Sequence, residues 1–190
     1  VHLKLHQAGP DEIVSMLLSG EADIGVATEA LGEVVRLDSF PYYTWRHAVV
    51  VPQGHPLTRL ATITLKDIAE YPIVTYHEGL TGRARVDQAF TEAGLVPDIV
   101  MSALDADVIK TYVELGMGIG IMASMAFNPV KDGDLQLLGC GDLFGENTTY
   151  IALRRGHYLR SFAYRFIELC SSRLDEQTVR AGLAVEHPGR

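Results

Sequence analysis

The sequence predicts an α/β fold of two lobes joined by two crossing strands, and three observations carry that prediction. Short apolar runs alternate with amphipathic stretches along the 190 residues, the pattern of strands and helices taken in turn. Glycines (Gly20, Gly94 and Gly116) follow the last apolar positions of helical stripes, where a left-handed residue ends a helix at little steric cost. The pattern changes lobe near residues 45 and 147, so that residues 1–44 with 147–190 form the first lobe and 45–146 the second.

Residues 1–6 alternate apolar and polar side chains, as a strand with one buried face does. Pro10, Asp11 and Glu12 open a helix, because proline fits the first turn and acids suit the dipole there; Ile13, Met16 and Leu17 follow at helical spacing. Residues 22–27 form the next strand, with Thr28 at its carboxyl end, and strand, helix and strand make a parallel unit. Residues 34–37 and 46–51 read as two further strands separated by the aromatic stretch 40–45, which holds the only tryptophan, Trp45. Rings between strands more often pack in a core than line a ligand, so Tyr43 and Trp45 are secondary site candidates.

Residues 52–57 are turn chemistry and lead into the second lobe. Thr64 caps a short helix containing Leu65, Ile68 and Ala69, and residues 73–76 form a strand. The helix after Gly82 carries Val86, Ala89, Phe90 and Ala93 on one stripe. Another strand at 99–101 precedes Asp105, which caps a helix with Val108, Ile109, Tyr112 and Val113 on its apolar side. Gly116, Gly118 and Gly120 follow a helix and lead into a strand, the reverse of a dinucleotide fingerprint, and so indicate close packing. Strands at 135–138 and 148–153 come next, then a long helix with Phe162, Ala163, Phe166, Ile167 and Cys170, a last helix from Asp175, and a disordered tail at 187–190.

Sixteen basic against 24 acidic residues give a formal charge of -8, which does not suit a surface that neutralises duplex phosphates. Cys140 and Cys170 lack metal or redox spacing and read as free thiols. No apolar run reaches the length of a membrane span, and no secretory leader pattern opens the chain, which favours a cytoplasmic origin.

The stretch 73–83 is the chemical centre. Gly79 and Gly82 let the backbone turn tightly and approach a ligand, Thr81 offers a hydroxyl, and the following helix presents unpaired amides, an arrangement suited to a small anion. Thr28 is a second strand-end donor, placed where open α/β sheets collect ligands. The plainer alternative is that these threonines only cap and these glycines only turn. No nucleophile, base and orienter occur at signature spacing, and no metal shell or cofactor motif does, so binding without chemistry is expected. Among seven histidines only His77 lies beside Thr81, as a further weak candidate; His6 and His47 read as packed or solvated strand residues.

These residues carry a resemblance. Residues 20–23 and 27–31, 47–57, 71–76, 80–83, 105–113 and 123–126 resemble the effector-binding domain of LysR-type transcriptional regulators, and more closely its CysB-like subgroup, regulators of sulfur assimilation and cysteine biosynthesis. The match runs in register over nearly the whole chain, with Thr81-Gly82-Arg83 and residues 105–113 specific to the subgroup. The resemblance implies two Rossmann-like lobes of the type 2 periplasmic-binding-protein kind, with an effector in the cleft: sulfate, thiosulfate, O-acetylserine or N-acetylserine. Thr28, Thr81, Gly82 and Leu80 are the residues it implies for that site. It further implies no enzymatic activity, a homodimer or homotetramer, and DNA binding only through an amino-terminal winged helix-turn-helix outside this chain. The chain would also begin after the family's first strand and helix, leaving the anion site without residues from that segment. Glu78 would repel an anion unless it turns outward or pairs with Arg83. A periplasmic small-anion-binding protein of the same fold is the alternative.

Overall fold

The computed structural model describes residues 2–28, 31, 34–80, 82–140 and 142–184. The chain divides into two compact units, Val1–Thr44 with Thr148–Arg190, and Trp45–Asn147. It passes from one to the other twice, inside the long strands β2 (Leu37–Pro52) and β7 (Glu146–Arg154).

In the first unit, helix α1 (Pro10–Ser19) starts on its proline, and Gly20 closes it in the left-handed region at φ 80°. Strand β1 (Gly25–Thr28) pairs antiparallel with β7, running from Gly25 opposite Ala152 to Thr28 opposite Thr149. Helix α5 (Ser161–Cys170) buries Ala163, Tyr164 and Ile167, and α6 (Glu176–Ala184) adds Val179; together with Ile151, Leu153 and Leu159 they form one cluster. Asp175 accepts from the Thr178 amide at 2.7 Å and so caps α6.

Three expectations are corrected here. Residues 2–6 are exposed and form no strand, with Leu3 and Leu5 both open to solvent. An alternating pattern specifies a face, but a strand also needs a partner edge, and none among the described residues pairs with it. The strand–helix–strand parallel unit is therefore not formed, and β1 pairs antiparallel with β7 instead. Finally, Val35 and Arg36 lie in a turn, and one unbroken strand runs from Leu37 through the aromatic stretch to Pro52. Aromatic residues favour strands as strongly as β-branched ones, so Phe40, Tyr42 and Tyr43 continue the ladder rather than interrupt it.

Among the described residues the second unit holds a mixed sheet in the order β6-β2-β5-β3-β4, built from β3 (Ile73–Tyr76), β4 (Ile99–Ala103), β5 (Ile119–Ala123) and β6 (Leu135–Gly139) around β2. The β2 pairings are antiparallel, whereas β5-β3 and β3-β4 are parallel. Every residue of β3 is buried, as befits a strand covered on both faces. The two-residue period of β2 sorts its side chains. Val49 and Val51 join the cluster of Ile68 and Phe90, from helices α2 (Leu65–Ala69) and α3 (Arg83–Glu92), while Val50 joins Ile109 and Val113 of α4 (Ala106–Glu114).

Both predicted caps are made: Thr64 and Asp67 form a reciprocal capping box, and Asp105 accepts from the Val108 amide at 2.9 Å. The glycine run ends at close packing, as expected. A Cβ on Gly120 would lie 2.5 Å from Val50, 2.8 Å from Ile109 and 3.0 Å from Val113, so the glycine lets α4 settle onto β5. Both cysteines are free thiols. No helix among the described residues is long and apolar enough to cross a membrane.

Candidate functional site

Strand β3 delivers the chain into a turn that its own backbone closes. The His77 amide donates to Ala103 O at 2.8 Å, the Leu80 amide to His77 O at 3.1 Å, and the Arg83 amide to Leu80 O at 2.9 Å. Arg83 ties the turn down from beneath. Its buried guanidinium donates to Tyr76 O at 2.7 Å and Asp87 Oδ1 at 2.8 Å, and its Nη2 lies 3.8 Å from Glu78 Oε1. Glu78 therefore does both things expected of it, pairing with Arg83 while its side chain stays 81% exposed.

Gly82 is the N-cap of α3, left-handed at φ 69° and buried. Its missing side chain is required twice over. The φ value disfavours any L residue, and a Cβ would sit 2.6 Å from His47 Cε1, 2.9 Å from His47 Nε2 and 2.9 Å from Trp45 Cη2. Trp45 is 5% exposed and His47 3%; their rings meet edge-on with centroids 4.9 Å apart, and Phe144 closes on His47 at 5.7 Å. Asn147 Nδ2 lies 3.3 Å from His47 Nδ1. Among the described residues, His47 Nε2 and Asn147 Oδ1 are buried with no hydrogen-bond partner. Burial, with the charge of Arg85 adding to it, lowers the His47 pKa to about 4, so the imidazole beneath the turn is neutral at physiological pH.

The predicted site residues distribute as follows. Gly82 and Trp45 are in contact range, and half-buried Leu80 packs against the Val74–Tyr76 cluster of the same unit. Thr81 lies outside the described residues. His77 is exposed, with Nδ1 2.8 Å from Glu78 O. In the other unit, Thr28 is half-buried at the end of β1, its Oγ1 3.2 Å from Thr149 Oγ1, and Tyr43 is exposed, edge-on to Tyr42 at 4.6 Å.

Sequence reasoning read His47 as a packed or solvated strand residue, and it is packed, but its place beneath Gly82 was missed, as were Asn147 and Thr149. His47 stands two residues from Trp45 on one strand, a spacing that puts both on one face and could have found it. Thr149 and Asn147 depend on which strand pairs with which, and no local pattern carries that. Among the described residues no group of three or more His, Cys, Asp or Glu could hold a metal ion.

Two α/β units joined by two strand crossings, one of them presenting a glycine-led helix end, define a type 2 periplasmic-binding-protein-like ligand-binding domain. The chain belongs to the LysR substrate binding domain family, whose model matches residues 1–175. It is 53% identical over 186 residues to the HTH-type transcriptional regulator SsuR of Burkholderia cenocepacia, covering 98% of this chain and 60% of that protein. It is 47% identical to the HTH-type transcriptional regulator CysB of the same organism, covering 98% and 59%, and 44% identical to the HTH-type transcriptional regulator cbl of Escherichia coli, covering 95% and 57%. The chain thus spans somewhat under two thirds of the length of these relatives. Among solved structures, the cofactor-binding domain of the Cbl transcriptional regulator superposes with a TM-score of 0.90 at 42% identity, over 95% of this chain and 79% of that one. The chain is accordingly an effector-binding domain of the CysB, Cbl and SsuR type.

Proposed function

We propose that this domain senses a sulfur-pathway effector for a LysR-type DNA-binding regulator of sulfur assimilation and cysteine biosynthesis. The effector is sulfate, thiosulfate or an acetylserine-type ligand, O-acetylserine or N-acetylserine. Thr28 donates to it from one unit; Thr81, the Gly82 amide and the backbone beside Leu80 donate from the other. Binding favours one arrangement of the domain over another, and differential affinity is what turns binding into a signal. DNA is held by an amino-terminal helix-turn-helix, in keeping with the HTH-type names of the relatives, and the regulator works in the cytoplasm as a homodimer or homotetramer. The periplasmic alternative draws no support from those names.

The observation that carries this reading is the left-handed Gly82 at the amino end of α3. No side chain there competes for the helix amides, and helix amino ends favour anions. Hydrogen bonds to a charged partner are worth roughly 1.5 to 3 kcal/mol each. Loss of either threonine should therefore weaken binding roughly tenfold to a hundredfold. Calorimetric titration of the four ligands into the protein, Thr28→Ala and Thr81→Ala tests this. If none binds, or if neither substitution matters, the reading is wrong.

A further inference from the structure

The first unit carries a second cluster built for anions, at the opposite end of the β1–β7 ladder from Thr28. Along β7, Arg154 lies five residues beyond Thr149, which stands opposite Thr28, and so roughly 17 Å away at the usual strand rise. There Val35, Arg36, Arg154, Arg155, Gly156 and His157 line a hollow of about 460 Å³. Three arginines and a histidine around one open surface hollow stand out in a chain of formal charge -8.

Two of the three arginines are already oriented. Arg155 Nε donates to Asp38 Oδ1 at 2.9 Å, and its amide donates to Arg36 O at 3.0 Å, locking the turn to the start of β2. Arg154 lies over Gly20, where a Cβ would be 3.6 Å from its guanidinium nitrogens, and its Nη2 is 2.9 Å from His157 Nδ1. Arginine only donates, so Nδ1 accepts and the imidazole proton sits on Nε2, which lies 3.6 Å from Asp23 Oδ1 at the exposed rim. Arg36 is exposed, and its side chain makes no ion pair or hydrogen bond among the described residues. Among the described residues the three guanidinium charges are opposed by buried Asp38 and rim Asp23, so the arginines leave an excess of one positive charge. Guanidinium forks bind oxyanions bidentately, and pre-oriented donors lower the entropy lost on binding.

We propose that this hollow is a second binding site, separate from the Thr28 end of the ladder, for a compact oxyanion of the phosphate or pyrophosphate class. Arg36 swings in as the free fork, Arg154 is the fixed one, and Arg155 is held at the wall by Asp38. The hollow has ample room for such an ion, so the choice rests on the guanidinium groups rather than on fit, and the chain's acidity disfavours a long polyanion.

The test is calorimetric titration of pyrophosphate into the protein in low-salt buffer, with Arg36→Ala and Thr28→Ala in parallel. Arg36 is exposed and uncommitted, so its removal leaves folding intact. Saturable binding that Arg36→Ala weakens about tenfold, as loss of one charge-assisted contact should, and that Thr28→Ala leaves unchanged supports the proposal. Three results overturn it: no saturable binding, weakening by Thr28→Ala but not by Arg36→Ala, or displacement of pyrophosphate by a short DNA duplex that binds more tightly through Arg36.

Discussion

The side-chain amide of Asn147 donates to Nδ1 of His47 across 3.3 Å, which leaves the imidazole proton on Nε2, facing Gly82. His47 is thus buried as a neutral ring with a pKa of about 4, against about 6.5 in an unfolded chain. The folded state binds fewer protons between those values, so stability is complete above about pH 6.5 and falls as pH drops toward 4. From this group alone the protein should be about 2 kcal/mol less stable at pH 5 than at pH 7.5. His47→Phe should flatten that limb by the same amount, as read by urea denaturation at the two pH values.

Gly82→Ala tests the same packing from the other side. The substituted residue would hold a left-handed φ of 69° and press on His47 and Trp45. Backbone strain of this kind costs roughly 1 to 3 kcal/mol, and the clash adds to it. Trp45 is the only tryptophan and is 5% exposed, so its emission reports the damage. A red shift at native pH is expected; unchanged emission and stability would mean the turn yields freely and is not fixed by this contact.

The sequence was most legible where a residue's chemistry is local. Thr64, Asp105 and Gly20 end or begin helices with their own atoms, and each does so here. It was least legible where a partner strand decides the outcome. The alternation of residues 1–6 is that of a strand, yet among the described residues nothing pairs with 2–6. The aromatic stretch 40–45 reads as a separation between two strands, but β2 runs straight through it. Thr28 was identifiable as a strand-end hydroxyl, whereas its neighbour Thr149 needed the antiparallel register of β1 and β7. Gly82 was found from its place before a helix; that its missing side chain makes room for His47 is visible only once β2 lies beneath the turn.

The thiols should separate cleanly by reactivity. Burial pushes the Cys140 pKa up to about 11, which leaves about one molecule in a thousand as thiolate at pH 8. Burial also raises the pKa of Cys170, but that residue is only half-buried. A thiol reagent should therefore label Cys170 first and reach Cys140 only on unfolding, as peptide mass mapping over time would show. Prompt labelling of Cys140 in the folded protein would contradict its placement in the core.

Lys110 and Asp132 form a buried ion pair that fastens α4 to the turn before β6. The ammonium lies 3.1 and 3.2 Å from the two Asp132 oxygens and 3.1 Å from Ala126 O, and Asp132 also accepts from the Asn128 amide at 2.7 Å. Burial alone would raise the Asp132 pKa; the Asn128 amide and the Lys110 charge outweigh it and hold it below the usual carboxylate value. Lys110→Met strands that carboxylate, and removing one partner of a buried pair costs roughly 3 to 5 kcal/mol. Asp132→Asn keeps an oxygen for the Asn128 amide and should cost less. The sign with pH follows from the depressed pKa: the stability from Asp132 is present above the unfolded carboxylate value near 3.9 and is lost as pH falls below it. Denaturation of the wild type and Lys110→Met should therefore differ most near neutral pH and converge below pH 4, where the stranded carboxylate is protonated. A gap that stayed constant across that range would mean Lys110 contributes by packing its alkyl chain rather than by its charge.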